Sequence, residues 1–324
     1  MKSSPLLFAL SLALVAALST VAIARADAGT APEVNKAESL YNDGKYKESL
    51  SVLNKYLATH PKDATALVDR GDDYAALDDD KSAVADYSAA IDVNPDYAYA
   101  YASRCDSLNS LQQNTQAKPD CDKAIELNPK MSYAYRVRAY IEIQQGDAKT
   151  ALTDADRAVE LNSNSALGFQ TRCRAYVELG QNERAIQDCT DAIHLNPNIE
   201  EAYFQRGRAE IALEKWPGAI ADFNQALKVS PGPNAHYWLA LSYLENGDYT
   251  SALGQADSYV EAKSDDGDGY LVRARIKVKL GKPADAKEDA NTALRHYRIV
   301  NDSDGAAKAQ ALLDSLNGAG SAHR

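Results

Sequence analysis

Four cysteines are the residues best placed to do chemistry in this 324-residue sequence. Cys105 and Cys121 lie 16 residues apart, as do Cys173 and Cys189, and the second pair repeats the first after 68 residues. Paired thiols can form disulfides, bind zinc or exchange electrons. Zinc wants about four converging ligands, whereas the pairs are far apart in the chain. A redox-active CxxC is absent. Two structural bridges, Cys105–Cys121 and Cys173–Cys189, are therefore expected if the fold sets each pair on facing elements. The histidines, His60, His194, His236, His296 and His323, show neither i, i+4 spacing nor a CxxC-type cluster, so no metal site is expected. No nucleophile elbow, phosphate loop or dinucleotide fingerprint occurs, which argues against an enzyme and against any cofactor. Asp78-Asp79-Asp80 and Asp265-Asp266 lack calcium-loop spacing and read as solvated turns.

The charge balance narrows the partners. Lys and Arg number 35 against 46 Asp and Glu, a net charge of −11, so a nucleic-acid-binding stripe is not expected. Apolar residues at 45% and charged residues at 25% are a globular composition. Lys2 precedes an apolar run from Leu6 to Ala24, followed by Ala24-Arg25-Ala26 and Ala26-Asp27-Ala28. This is the pattern of a secretory signal peptide over residues 1–28, with cleavage after Ala28. The alternative is a retained anchor, since the run nearly spans a bilayer. No other run approaches that length, so no stable membrane span is expected after cleavage. An exported chain, periplasmic or secreted, also suits disulfides.

The elements that must position these residues follow from a repeat. Pro61, Pro95, Pro129, Pro197 and Pro231 fall at intervals of 34, 34, 68 and 34, and Ser163 fills the gap. The preceding residues agree: IDVNP, IELNP, VELNS, IHLNP and LKVSP. Within each period, apolar residues recur at helical spacing on both sides of a short break. Gly44, Gly146, Gly180, Gly247 and Gly281 mark that break. Two antiparallel helices per 34 residues, closed by proline, resemble the tetratricopeptide repeat (TPR) family. The resemblance implies an all-α, right-handed superhelical solenoid of about eight hairpins over residues 30–300. They start near Thr30, Ala64, Ala98, Ser132, Ala166, Glu200, Pro233 and Gly267. Residues 301–324 supply a capping helix over 304–316 and a frayed tail. Repeat 3 has no break glycine and carries Pro119 in its second helix, which should start late or bend.

In this frame each cysteine pair sits level on facing helices, eight residues from the break. The first member occupies a slot filled elsewhere by Ala37, Gly71, Ala139, Gly207, Ala240 and Ala274, where the helices approach most closely. One residue earlier stand Arg70, Arg104, Arg138, Arg172, Arg206 and Arg273. Sixteen later come Asp86, Asp120, Asp154, Asp188, Asp222 and Asp289. Repeats 1 and 7 lack both members, with Lys36 opposite Val52 and Leu239 opposite Gln255. This joint loss predicts an ion pair inside each other repeat, worth at most about 1 kcal/mol if exposed.

The resemblance implies that first helices line a concave groove. The residue after the small slot then reads Glu38, Asp72, Asp106, Tyr140, Arg174, Arg208, Leu241 and Arg275, acid giving way to base. Four residues earlier the same face reads Val34, Val68, Ala102, Arg136, Gln170, Phe204, Tyr237 and Leu271, with Tyr99 and Tyr133 nearby. Arg136 with Tyr140, and Phe204 with Arg208, are the expected anchors for a partner segment. The chain thus reads as an exported scaffold or adaptor for an unidentified protein or peptide. The alternatives are a non-catalytic subunit of an envelope or glycan-processing complex, and self-association through the terminal repeats.

Overall fold

The computed structural model describes residues 31–321, so the leader expected over 1–28 lies outside the described residues. The described chain is an all-α repeat solenoid of seventeen helices, without a strand among the described residues. It divides into two compact units, the first ending at Ala175 and the second starting at Tyr176. The first carries α1 (Pro32–Asn42), α2 (Tyr46–Leu57), α3 (Ala64–Ala76), α4 (Asp80–Val93), α5 (Ala98–Ser110), α6 (Asn114–Leu127), α7 (Ser132–Gln144), α8 (Ala148–Leu161) and most of α9 (Ala166–Glu178). The second carries the end of α9, then α10 (Asn182–Leu195), α11 (Glu200–Ala212), α12 (Trp216–Val229), α13 (Pro233–Glu245), α14 (Tyr249–Ala262), α15 (Gly267–Lys279), α16 (Pro283–Ile299) and α17 (Ser303–Ser321). Odd-numbered helices up to α15 are first helices of a repeat and even-numbered ones are second helices.

Each hairpin turns on one residue in the left-handed region. Gly44, Gly146, Gly180, Gly247 and Gly281 take it, but so do Asp78, Gln112 and Glu214, at φ 61°, 60° and 56°. The next residue donates its N–H back across the turn, as from Lys45 to Leu40 O and from Gln113 to Leu108 O, both at 2.8 Å. Repeat 3 therefore makes the common turn without glycine. The late start expected for α6 does not occur: it begins at Asn114, in register with Asp80 of α4 and Ala148 of α8. Its turn is set at Gln112, upstream of Pro119, and the next two residues, Asp120 and Cys121, are tied to α5. At the far end of the repeats, Asn94, Asn128, Asn162 and Asn196 each accept through Oδ1 from the N–H two residues on, at 3.0–3.2 Å. The intervening Pro95, Pro129, Ser163 or Pro197 thus lies inside an Asx turn, which explains the pairing of Asn with Pro in the repeat signature.

The small slot is matched by the residue 16 positions later. Gly71 faces Tyr87 and Gly207 faces Phe223, where an added Cβ would come within 2.6 Å and 2.8 Å of the ring. Buried Ala139 and Ala155, Ala240 and Ala256, and Ala274 and Ala290 hold the same two positions in other repeats. In repeat 3 they hold Cys105 and Cys121, bonded with Cα atoms 5.5 Å apart. Cys173 and Cys189 are each disulfide-bonded too, and no cysteine is free.

The arginines do more than pair within a repeat. Arg138 grips Asp154 through Nε at 2.5 Å and Nη2 at 2.8 Å, and its Nη1 donates to Asp122 of the preceding second helix at 2.7 Å. Arg70, Arg104, Arg206 and Arg273 repeat the two-pronged grip on Asp86, Asp120, Asp222 and Asp289. Their Nη1 atoms reach Asn54, Ser88, Thr190 and Asp257. The pairs are not the exposed kind, because Asp154, Asp222 and Asp289 retain only 5–7% of their side-chain surface. Each arginine therefore joins three helices. In repeat 7, where the pair is missing, Gln255 instead meets His236 Nδ1 at 2.7 Å. The closing helix α17 packs Ala309 and Leu313 on Tyr297 of α16 and runs to Ser321, past Leu316, through residues expected to fray.

Candidate interaction surface

In the first unit the first helices carry a linked row of acids, tyrosines and arginines. Asp72 accepts from the hydroxyls of Tyr87 at 2.8 Å and Tyr99 at 3.2 Å. One repeat on, Asp106 accepts from Tyr133 at 2.8 Å and from Arg136 Nη2 at 3.0 Å. Burial and the adjoining carboxylates push the Tyr87 and Tyr133 phenols well above their ordinary range. Both therefore remain hydrogen-bond donors at any physiological pH. The Arg136 guanidinium lies 5.1 Å over the Tyr133 ring, and Arg174 lies 4.9 Å over Tyr140. Tyr99 and Tyr133 have ring centres 6.1 Å apart.

These contacts differ from the expected anchors. Arg136 takes Tyr133 and Asp106 rather than Tyr140, which serves Arg174. In the second unit Arg208 lies 5.9 Å over the Trp238 ring. Phe204 packs edge-on to Phe223 and Trp238, at 5.5 and 6.4 Å. Tyr237 stands 5.6 Å from Trp238 and 5.2 Å from Tyr259. Half of the row four residues before the groove position is interior: Val34, Val68, Ala102 and Gln170 are buried. Successive first helices touch directly in α1·α3, α3·α5 and α5·α7. Arg136, Phe204, Tyr237 and Leu271 alone keep part of their surface.

The expected division into acidic and basic fields is cancelled locally. Arg136 pairs with Asp106 at 3.0 Å, Arg208 with Glu178 at 3.0 Å and Arg275 with Glu245 at 2.8 Å. Each pair spans 30 residues, four short of the repeat. Reading the sequence at a strict 34-residue offset passes over Glu178 and Glu245, whereas a search at 30 finds both. Trp238 was also missed, because it stands where other repeats place Asn35, Asp69, Ser103, Val137, Thr171, Gln205 and Val272.

Two further features complete the surface. Asp73 is fully buried in the first unit, and neither carboxylate oxygen has a hydrogen-bond partner. Burial raises its pKa to about 7, opposed by the nearby Ser49 hydroxyl and aided by neighbouring Asp72. In the second unit a recess of about 260 Å³ opens between Val177, Asn182, Arg208, Ile211, Ala212 and Trp238. Among the described residues no three His, Cys, Asp or Glu side chains are placed to hold a metal ion. The carboxylate runs act locally, Asp79 capping α4 through Ser82 and Asp266 capping α15 through Asp268.

A family model described as tetratricopeptide repeat matches residues 34–102, 106–166, 172–226 and 204–267. No curated protein matches the sequence. Solved structures share the fold. The chain superposes on the APC/C hetero-tetramer Cut9-Hcn1 with TM-score 0.70 at 15% identity, covering 88% of this chain but only 55% of that one. Pseudomonas aeruginosa pilF gives TM-score 0.56 at 19% identity, covering 66% of this chain and 96% of that one. A tetratricopeptide repeat protein of Parabacteroides merdae gives 0.52 at 17% identity, covering 78% and 98%. At these identities the likeness concerns the fold.

Proposed function

The chain belongs to the tetratricopeptide repeat family, and from that premise we propose that it is an exported, non-catalytic scaffold whose first helices hold a segment of a partner protein. The observation that carries this reading is the row of partly exposed aromatic and arginine side chains on those helices, with Arg174 already stacked on Tyr140. Aromatic and arginine side chains dominate interface hot spots: the rings offer large contact area with few bonds to freeze, and the guanidinium stacks on rings and forks onto carboxylates. In the first unit the candidates are Asp72, Tyr99, Asp106, Tyr133, Arg136, Tyr140 and Arg174, backed by buried Gln170. In the second they are Phe204, Arg208, Tyr237 and Arg275. The partner segment carries an acidic or phosphorylated residue toward Arg174 or Arg208 and an apolar one toward Tyr140 or Phe204.

Export is supported by the leader pattern over residues 1–28 and by the Cys105–Cys121 bond, since structural disulfides persist in oxidising compartments. No described helix is long and apolar enough to cross a membrane. The binding reading is tested by panning a random peptide library on the immobilised, oxidised protein. Peptides held by the native chain should be lost by the double variant Arg174→Glu/Arg208→Glu, with helicity unchanged. Equal capture by the charge-reversed protein at low salt would reject the first-helix face and direct the search to the second helices.

A further inference from the structure

The recess beside Trp238 has a composition that names its occupant. Its walls come from three successive first helices: Val177 at the end of α9, Ile211 and Ala212 at the end of α11, and Trp238 of α13. Gly180 and Asn182 close it from the adjoining turn. At about 260 Å³ it lies below the ~300–1,000 Å³ of pockets that enclose whole small molecules. A single leucine- or phenylalanine-sized side chain suits that volume. Trp238 is the one aromatic residue in its row of the repeat, and it is held by its packing on Phe204 and Phe223. A preset aromatic wall of this kind accepts an apolar group with little reordering.

Arg208 sets the charge at the rim. Among the described residues both of its hydrogen bonds leave from Nη1, to Glu178 at 3.0 Å and to Gln205 at 2.9 Å. Nη2 and Nε therefore remain for an incoming carboxylate, which must approach from the side away from Glu178. We infer that this recess is the anchor subsite of the second unit: it takes one bulky aliphatic or aromatic side chain of an extended partner segment, with an acidic side chain next to it on Arg208. This rests on the reading of the first helices as the partner-binding face, and it sets an apolar and an acidic residue side by side in the partner.

The probes are the capped dipeptides Ac-Leu-Asp-NH2, Ac-Leu-Asn-NH2 and Ac-Ala-Asp-NH2, used at the millimolar concentrations that ligands of this size require. The readout is the indole N–H resonance of Trp238 in the full chain, assigned with Trp216→Phe. Ac-Leu-Asp-NH2 should shift it saturably, and each of the other two should bind about tenfold more weakly. Arg208→Gln should erase the difference between the Asp and Asn probes while keeping the preference for Leu over Ala. Ala212→Phe should fill the recess and remove binding, and an unchanged spectrum elsewhere shows that it folds. No saturable shift in the native chain, equal affinity for all three probes, or binding that survives Ala212→Phe would each overturn the inference. Panned peptides that depend on Arg174 and Arg208 but survive Ala212→Phe would leave the first-helix reading standing and remove this subsite alone.

Discussion

Asp73 has no surface exposure, and nearby Ser49 only partly offsets the cost of burying its carboxylate, so its neutral form is the one the native state tolerates. Its folded pKa of about 7 stands above the ordinary aspartate value of about 3.9. For an acid shifted upward, the cost is absent below the unfolded pKa, grows as pH rises, and levels off above the folded pKa. Stability should therefore fall between about pH 4 and 7, by roughly 4 kcal/mol from this group. Asp73→Asn should flatten that decline and raise stability at pH 8, as measured by urea unfolding of both proteins across the range. Parallel curves would count against it. Gln112 offers a second test, since it holds a left-handed turn that glycine holds in five other repeats. Gln112→Gly should stabilise by about 1 kcal/mol, because the penalty on a side chain at positive φ disappears. Gly71→Ala should do the reverse, its Cβ colliding with the Tyr87 ring. Thermal melts of the two variants should move in opposite directions.

At the scale of the element, the arginine that joins three helices is the part most exposed to loss. Arg138→Met would leave the nearly buried Asp154 carboxylate unpaired and abandon Asp122. A loss of about 3–5 kcal/mol is expected, with Arg138→Lys a poor rescue because a point charge cannot make the fork. The double variant Arg138→Met/Asp154→Leu should recover most of the loss, since no buried charge then remains. Denaturant unfolding of the native chain, Arg138→Met, Asp154→Leu and the double variant forms the cycle, and a double variant no better than Arg138→Met would contradict it. The hairpin of α5 and α6 carries a different reinforcement. It has a non-glycine turn at Gln112 and a proline within α6, and the Cys105–Cys121 bond ties its midpoint. Cys105→Ser/Cys121→Ser should cost about 3 kcal/mol for a loop of this length. Adding Pro119→Ala should return part of it.

For the whole molecule, repetition makes stability largely a sum of local terms, each repeat leaning on its neighbours. Variants placed in separate repeats should therefore act independently, whereas those within one hairpin should couple. The proposed export is tested on the whole chain as well. N-terminal sequencing of the mature protein should begin at Gly29, and thiol titration of that material should find no reactive cysteine. A protein starting at Met1, or free thiols in freshly isolated oxidised protein, would argue for a retained leader or a reducing compartment.

The period of prolines, the facing cysteines and the recurring Arg–Asp spacing were legible in the sequence because a helical repeat converts chain separation into fixed geometry. A residue 16 positions on must come back level with its partner on the second helix. The size match of Gly71 with Tyr87 and Gly207 with Phe223 follows the same offset and was open to the same reading. What neighbouring repeats do to one another was not legible, because it depends on how successive hairpins are stacked. That stacking buries Val68 and Ala102 rather than presenting them, and gives Arg138 a third helix to hold. It also sets Glu178 and Glu245 against arginines 30 residues later, cancelling the fields the charge order suggested. Trp238 and its recess belong to the same class: the tryptophan is visible in one repeat, but the cavity exists only where the ends of α9 and α11 meet the middle of α13.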